Sequence, residues 1–482
     1  MKRIFLMLLF MSLLISCKDE PKNEVQAEEK ESAQLDPVNY DMLESAVIYE
    51  ANIRQYSPEG TFDAFTKDIP QLKDLGVKII WLMPVHPISM KNRKAKGDLN
   101  VEDIEDPEER KKYLGSYYAV SDYTKVHEDY GTMEDFDQLV KTAHENGIYV
   151  ILDWVANHTG WDHKWLEEHP EWYTQNEKGE PVDPLNPATG ESWGWTDVAD
   201  LNYDNEGLRN AMTEDMLFWV REHDIDGFRA DVAGEVPTDF WENAVTEMKK
   251  IKPVFMLAES EDKDLFENAF DMGYNWEGHH IMNSIAQGKA SAKEWDDYMK
   301  KIDTTYQEDD FLMNFVTNHD ENSWNGTIKE RMGDASEAMV AMSYTIPGMP
   351  LIYSGMEYDM EKRLKFFEKD TIPKTKGKMY PILEKLGELK NSNPALHGGK
   401  NAASYTNVES SSEESILAFK RQNAGEELVY IANMSAKPAS FTLDLNGSYS
   451  DYMNGGKLEL EAGEKMEFRP WEYKILTRTE TE

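Results

Sequence analysis

Arg229 and Asp231 stand two residues apart in Asp226-Gly227-Phe228-Arg229-Ala230-Asp231. Read as a short buried strand, this stretch sends both side chains to one face, because strand side chains alternate. A guanidinium beside a carboxylate favours its ionised form. An ionised carboxylate at a strand tip can act as a nucleophile on a sugar carbon. An Arg-x-Asp pair alone is more often a structural ion pair, but it does not stand alone here. Asp153, Glu259 and Asp320 each follow an apolar run of strand length, and Asn157, His158 and His319 accompany them. Two carboxyl groups facing across a small gap are the machinery of retaining glycoside hydrolysis. One attacks the anomeric carbon; the other, kept protonated by its surroundings, protonates the leaving oxygen.

Four carboxylates converge only if the strands that carry them run parallel and end on one side. The patterning predicts strands over 46–53, 77–83, 148–152, 226–231, 254–257, 270–274, 311–317 and 350–353. Helices are expected over 62–75, 136–145, 206–222 and 239–250. Such alternation predicts an α/β fold, a (β/α)8 TIM barrel over 41–395, with all strand ends at one mouth. Residues 91–112 read as a long solvated loop. The stretch 157–203, rich in Trp, Pro, Gly and Asn, is too long for an ordinary loop and reads as a subdomain inserted after the third strand. From 396 to 482, alternating apolar segments and the turns Asn446-Gly447 and Gly455-Gly456 predict an appended antiparallel β-sandwich domain.

The 482 residues include 51 Lys and Arg against 91 Asp and Glu, a formal net charge of −40. That balance speaks against a nucleic-acid partner, since phosphate binding needs basic patches. The 13 Trp and 23 Tyr supply flat rings of the kind carbohydrate sites use as platforms, although most must serve the core. The single cysteine, Cys17, excludes an intrachain disulfide. Lys2 and Arg3 precede an apolar run over 4–15 that is too short to span a bilayer, which is a signal-peptide pattern. Leu14-Ile15-Ser16-Cys17 resembles the lipobox of bacterial lipoproteins, so residues 1–17 are expected to be a signal peptide ending at a lipidated Cys17. Lys18-Asp19-Glu20 resembles the signal that sends such lipoproteins to the outer face of the outer membrane; the periplasmic face is the alternative. Residues 18–40 read as a disordered tether.

Six stretches, in order, resemble the motifs of glycoside hydrolase family 13, the α-amylase family, and the likeness runs from residue 44 onward. They are Gly76-Val77 through Pro84, Asp153-Trp154-Val155-Ala156-Asn157-His158, Ala199-Asp200-Leu201-Asn202, Gly227-Phe228-Arg229-Ala230-Asp231, Leu257-Ala258-Glu259 and Val316-Thr317-Asn318-His319-Asp320. The resemblance implies roles. Asp231 would be the nucleophile, Glu259 the general acid/base, and Asp320 the stabiliser of the strained sugar. Arg229 would orient Asp231, and Asp153, His158 and His319 would bind the sugar being cleaved. Tyr118, four residues before Asp122, matches the family's stacking tyrosine under that sugar.

The chain also departs from the family pattern. Ala258 stands where a Gly is usual, and Gly234-Glu235 where classical amylases carry Lys-His. Asp231-Val232-Ala233-Gly234-Glu235-Val236 is closer to the neopullulanase and cyclomaltodextrinase branch. The chemistry needs no cofactor. Asn157 and Asp200 match ligands of a structural calcium, which wants six to eight oxygens. The expected reaction is retaining hydrolysis of α-1,4-glucosidic bonds in starch or maltooligosaccharides. The alternatives are transglycosylation and non-catalytic starch binding on the same scaffold.

Overall fold

The computed structural model describes residues 35–97, 99–307 and 310–478. The expected signal peptide, Cys17 and most of the expected tether lie outside the described residues. Eight strands close into a barrel: β1 (Val47–Ala51), β2 (Val77–Leu82), β3 (Tyr149–Trp154), β4 (Gly227–Ala230), β5 (Phe255–Ala258), β6 (Met272–Tyr274), β7 (Leu312–Asn314) and β8 (Met349–Tyr353). Neighbours in sequence order pair in parallel, and β8 returns to β1 through Ile48↔Leu351 and Glu50↔Tyr353.

The strands read as near-continuous apolar runs because both faces are covered. Ile48, Trp81, Ile151, Leu257, Tyr274, Met313 and Leu351 fill the barrel interior. The alternate residues Val47, Tyr49, Val150, Leu152, Phe228 and Met256 join the large core outside it. Against this rule, Glu50, Asp153 and Arg229 are buried on the strands themselves, each near the C-terminal end. Gly227 opens β4 at φ +145°, and a Cβ there would lie 1.8 Å from the Phe255 carbonyl oxygen. Only glycine permits that approach of β4 to β5.

The predicted helix over 62–75 is two, Phe62–Thr66 and Ile69–Asp74. Pro70, in the first turn of the second, lacks an N–H and would clash with the carbonyl four residues back, so one continuous helix cannot form. Strand β7 ends at Asn314 instead of reaching 317. The loop 91–112 is not wholly solvated: Ala95, Val101 and Tyr113 are buried together, with Ile104 and Phe367 packed on them.

The inserted stretch after β3 is tied by a short antiparallel ribbon, His158–Gly160 against Val198–Asp200, with His158 opposite Asp200. The C-terminal region contains β9 (Ser404–Asn407), β10 (Ile416–Asn423), β11 (Glu426–Asn433), β12 (Ala439–Phe441), β13 (Gly447–Asp451), β14 (Lys457–Leu460), β15 (Met466–Phe468) and β16 (Tyr473–Arg478). Six of these form an antiparallel sheet in the order β9-β10-β11-β16-β13-β14, and β12 pairs β15 as a separate ribbon. One face of the sheet packs on that ribbon, with Ile416, Val429 and Ile431 against Phe441 and Phe468. The other face, with Leu417, Phe419, Leu428 and Tyr430, joins the core of the barrel domain.

Candidate active site

The C-terminal ends of the strands carry the expected groups to one place. Arg229 is fully buried between Phe228 and Ala230 and is the hub. Its Nη1 lies 2.8 Å from Asp153 Oδ1 and 2.9 Å from Asp231 Oδ1. Its Nη2 lies 2.9 Å from Glu259 Oε2, and its Nε donates to Tyr274 Oη at 3.2 Å. One guanidinium therefore touches three carboxylates that issue from β3, β4 and β5. The ladder continues one residue past the strands: Asp231 N donates to the Trp154 carbonyl and Glu259 N to that of Ala230, both at 3.0 Å. Both carboxylates thus leave rigid backbone.

Val232, directly after Asp231, sits at φ +38°, ψ +49°. This left-handed conformation costs a β-branched residue about 1–2 kcal/mol. It aims the Val232 N–H at Glu259 Oε2, 2.8 Å away.

Electrostatics sort the carboxylates. Burial pushes Asp231 up to about 6 against the pull of Arg229. Arg229 favours the ionised form, as the sequence suggests, but three carboxylates share its charge and burial prevails. Asp153 is likewise raised to about 6 by burial. Glu259 is raised furthest, to about 7, by burial and by the charges of Asp231 and Asp320. Burial and the neighbouring carboxylates favour the protonated form of Glu259, which matches the demand for one acid and one base. Asp320, after β7, is the more open carboxylate, with its side chain 37% exposed, and lies 3.3 Å from His319 Nε2.

His319 is held between acids. Its Nδ1 lies 2.5 Å from Glu50 Oε1 and its Nε2 2.7 Å from Tyr118 Oη. Burial would lower it, but Asp320 and Glu50 raise it to about 9, so it is an imidazolium at neutral pH. As a double donor it fixes the direction of a chain: Nδ1–H to Glu50, Nε2–H to Tyr118 Oη, and Tyr118 O–H to Asp153 Oδ2 at 3.2 Å. His158, by contrast, is held neutral by burial, well down at about 3, and reaches the Tyr118 backbone.

Thus Tyr118, Asp153, His158, Arg229, Asp231, Glu259, His319 and Asp320 do converge at one mouth. Three further residues belong with them and escaped the sequence reading. Glu50 pairs His319. Trp81 donates its Nε1–H to Asp153 Oδ2 at 3.1 Å and lies 4.9 Å from the Arg229 guanidinium. Tyr274 takes the Arg229 Nε–H. The signal for Glu50 was present: an acid inside the apolar run Val47-Ile48-Tyr49-Glu50-Ala51.

Asn157 and Asp200 lie at the root of the inserted ribbon. Leu201 N donates to the Asn157 carbonyl at 3.1 Å, and Asp200 is raised to about 6, mainly by burial, with Glu235 and Asp183 adding to it. Among the described residues no three His, Cys, Asp or Glu side chains come together as metal ligands. Asn157 and Asp200 by themselves supply fewer than the six to eight oxygens calcium takes.

The family profile "Alpha amylase, catalytic domain" matches residues 47–424. The chain is 24% identical over 427 residues to "Alpha-amylase MalA" of Haloarcula japonica, covering 86% of this chain and 58% of that protein. It therefore spans little more than half the length of that relative. Over 224 residues it is 32% identical to an "Alpha-1,4-glucan:maltose-1-phosphate maltosyltransferase" of Chlorobaculum tepidum, covering 44% of this chain and 32% of the relative. Among solved structures, a maltogenic alpha-amylase, AmyB, from Thermotoga neapolitana superposes with a TM-score of 0.79 at 27% identity, covering 91% of this chain and all of that one.

Proposed function

The chain belongs to the α-amylase family of glycoside hydrolases, and from that membership we propose that it hydrolyses α-1,4-glucosidic bonds in starch or maltooligosaccharides by retaining double displacement. The observation that carries the proposal is the placement of Asp231 and Glu259 on neighbouring nitrogens of one buried guanidinium, with Glu259 the weaker acid of the two. Close carboxyl groups suit a covalent intermediate, whereas inversion needs a wider gap of about 6.5–9.5 Å to admit a water.

In the first half-reaction an Asp231 oxygen bonds to the anomeric carbon as the glycosidic C–O bond breaks. The Glu259 proton passes to the departing oxygen. In the second, Glu259, now a carboxylate, takes a proton from water, whose oxygen bonds to the same carbon as the Asp231 ester breaks. Glu259 regains its proton and Asp231 its charge. Arg229 spreads its charge over both carboxylates throughout. The Val232 N–H, a preorganised donor, holds Glu259 in place.

Proton NMR of the first product tests this directly. Double displacement delivers the α-anomer first from maltopentaose, and Asp231→Asn abolishes turnover without loss of folding. A β-anomer appearing first would remove both the covalent intermediate and the role of Asp231. Transfer of the glycosyl unit to a second sugar is a further reading, favoured by the likeness to a maltosyltransferase; chain-lengthened products in the presence of excess maltose would reveal it. We further propose attachment to the bacterial outer membrane through a lipid on Cys17, the cell surface being the expected side. Cys17→Ser should then move the protein out of the membrane fraction.

A further inference from the structure

Three aromatic rings form a path outward from Tyr118. The Tyr118 and Phe366 rings are nearly parallel, 9° apart in plane with centroids 6.3 Å apart. Phe366 in turn meets Trp324 at 5.1 Å. Tyr118 and Phe366 are half-buried, whereas Trp324 is 52% exposed, among the most exposed large apolar side chains described. A tryptophan that open, backed by a second ring and continuous with the candidate site, has a flat apolar face to offer that the described residues leave largely uncovered.

The path has a direction. Glu259 protonates the leaving oxygen, so the leaving group lies on the side of β4 and β5. In a closed eight-stranded barrel, the opposite side is that of β8 and β1. Phe366 follows β8 and Trp324 follows β7, so the ring path serves the half of the substrate that stays on the enzyme, the glycone.

The rings are also held in place. Trp324 lies in the π-helical turn Glu321–Asn325. From that turn the Asn322 amide grips the loop bearing Phe366: Leu364 N donates to Asn322 Oδ1 at 2.8 Å, and Asn322 Nδ2 to the Lys362 carbonyl at 3.1 Å. Gln55 Nε2 holds the same loop by the carbonyls of Lys365 and Glu368, at 3.0 and 2.8 Å. Leu114 N donates to the Phe367 carbonyl at 2.7 Å, tying in the loop that carries Tyr118. A platform fixed in advance loses little freedom on binding.

We propose that Phe366 and Trp324 form a stacking site for the glucosyl units next out from the reacting sugar on the glycone side, so that the enzyme grips longer chains more tightly than short ones. This rests on the α-glucan reading above.

The test uses the full-length protein and the ratio of kcat/KM for maltoheptaose to that for maltotriose. Trp324→Ala should lower this ratio about tenfold, equivalent to about 1.4 kcal/mol of transition-state binding. Trp324→Phe, which keeps a flat ring, should recover most of it. Tyr40→Ala, which removes an exposed ring where the chain enters β1 at the far end of the barrel, should keep the wild-type ratio. An unchanged ratio in Trp324→Ala overturns the stacking site and leaves the hydrolytic function standing. Equal loss in the Ala and Phe variants also overturns it, since the ring would then not be what matters. Wild-type protein that cleaves no maltooligosaccharide would remove the function and the stacking site together.

Discussion

A single guanidinium among three carboxylates cannot keep all of them ionised once water is excluded, and the pH dependence of catalysis should report this. On the proposed mechanism Asp231 must be charged to attack, so kcat/KM should fall as pH drops below about 6; Glu259 must hold its proton, so it should fall again as pH rises above about 7. The expected profile is a narrow bell between the two. Glu259→Gln should remove the alkaline limb and lower kcat by about 10²–10⁴-fold. The loss should be much smaller with α-maltosyl fluoride, whose leaving group needs no proton. An alkaline limb that survives the substitution would assign it to another group. The carboxylates and Arg229 were legible because each ends an apolar run in a recognisable motif. Glu50 stood out only as an acid in an apolar run; its role was not legible, because its partner His319 lies 269 residues away and only closure of β8 on β1 brings them together. Glu50→Gln replaces a charged hydrogen bond, worth about 1.5–3 kcal/mol, by a neutral one. The His319 imidazole, followed by NMR, should then titrate closer to its ordinary range, and the midpoint of urea unfolding should drop.

Patterning located the eight strands and the helices over 136–145, 206–222 and 239–250, since the helix over 206–222 and the barrel strands repeat their burial with the period of the element, but it gave no range for the helices Trp276–Ala286, Ala292–Thr305, Ser336–Thr345 and Met379–Ser392. It failed where one residue overrides a period, as Pro70 does, and where tertiary contacts bury a polar stretch, as in the loop that covers Ala95 and Val101. The seam between barrel and C-terminal sheet was equally hidden. Arg421 on β10 is fully buried yet has no carboxylate partner among the described residues; its guanidinium donates instead to the carbonyls of Thr345, His397, Ala403 and Ser404. Burial pulls it down to about 10, which leaves it charged at neutral pH. Thr345 ends the helix Ser336–Thr345, whose C-terminus favours a cation. Arg421→Ala would strand four carbonyls in a dry seam, at about 1–3 kcal/mol for each that finds no other donor. Urea unfolding should show a lowered midpoint, corresponding to a loss of several kcal/mol in total. Because Thr345 precedes β8, the seam lies at the end of the barrel away from the mouth, and kcat/KM on maltopentaose should stay near wild type. A variant of wild-type stability would mean that water replaces the guanidinium there.

At the scale of the whole molecule the excess of acid dominates. Composition alone yields the net charge of −40, but only the fold separates the few acids that work at the mouth from the many that face water. The latter repel one another across the surface, a strain on the folded state that salt relieves. Raising NaCl from about 0.01 M to about 0.15 M shortens the Debye length from about 30 Å to about 8 Å. The thermal midpoint should therefore rise by a few degrees over that range. Catalysis should behave otherwise. An uncharged glucan, the proposed substrate, is neither steered nor repelled by the field, and of the groups proposed to meet it Asp231, Arg229 and His319 are buried and Glu259 nearly so, where salt screens little. Over the same range kcat/KM for maltopentaose should change less than about twofold, whereas an anionic substrate approaching so acidic a protein would speed up steeply with salt. The two readouts thus part company for a neutral substrate and move together for an anionic one. A steep rise of kcat/KM with salt on maltopentaose would show that charged surface groups take part in binding, and would count against a cleft built of rings and buried carboxylates.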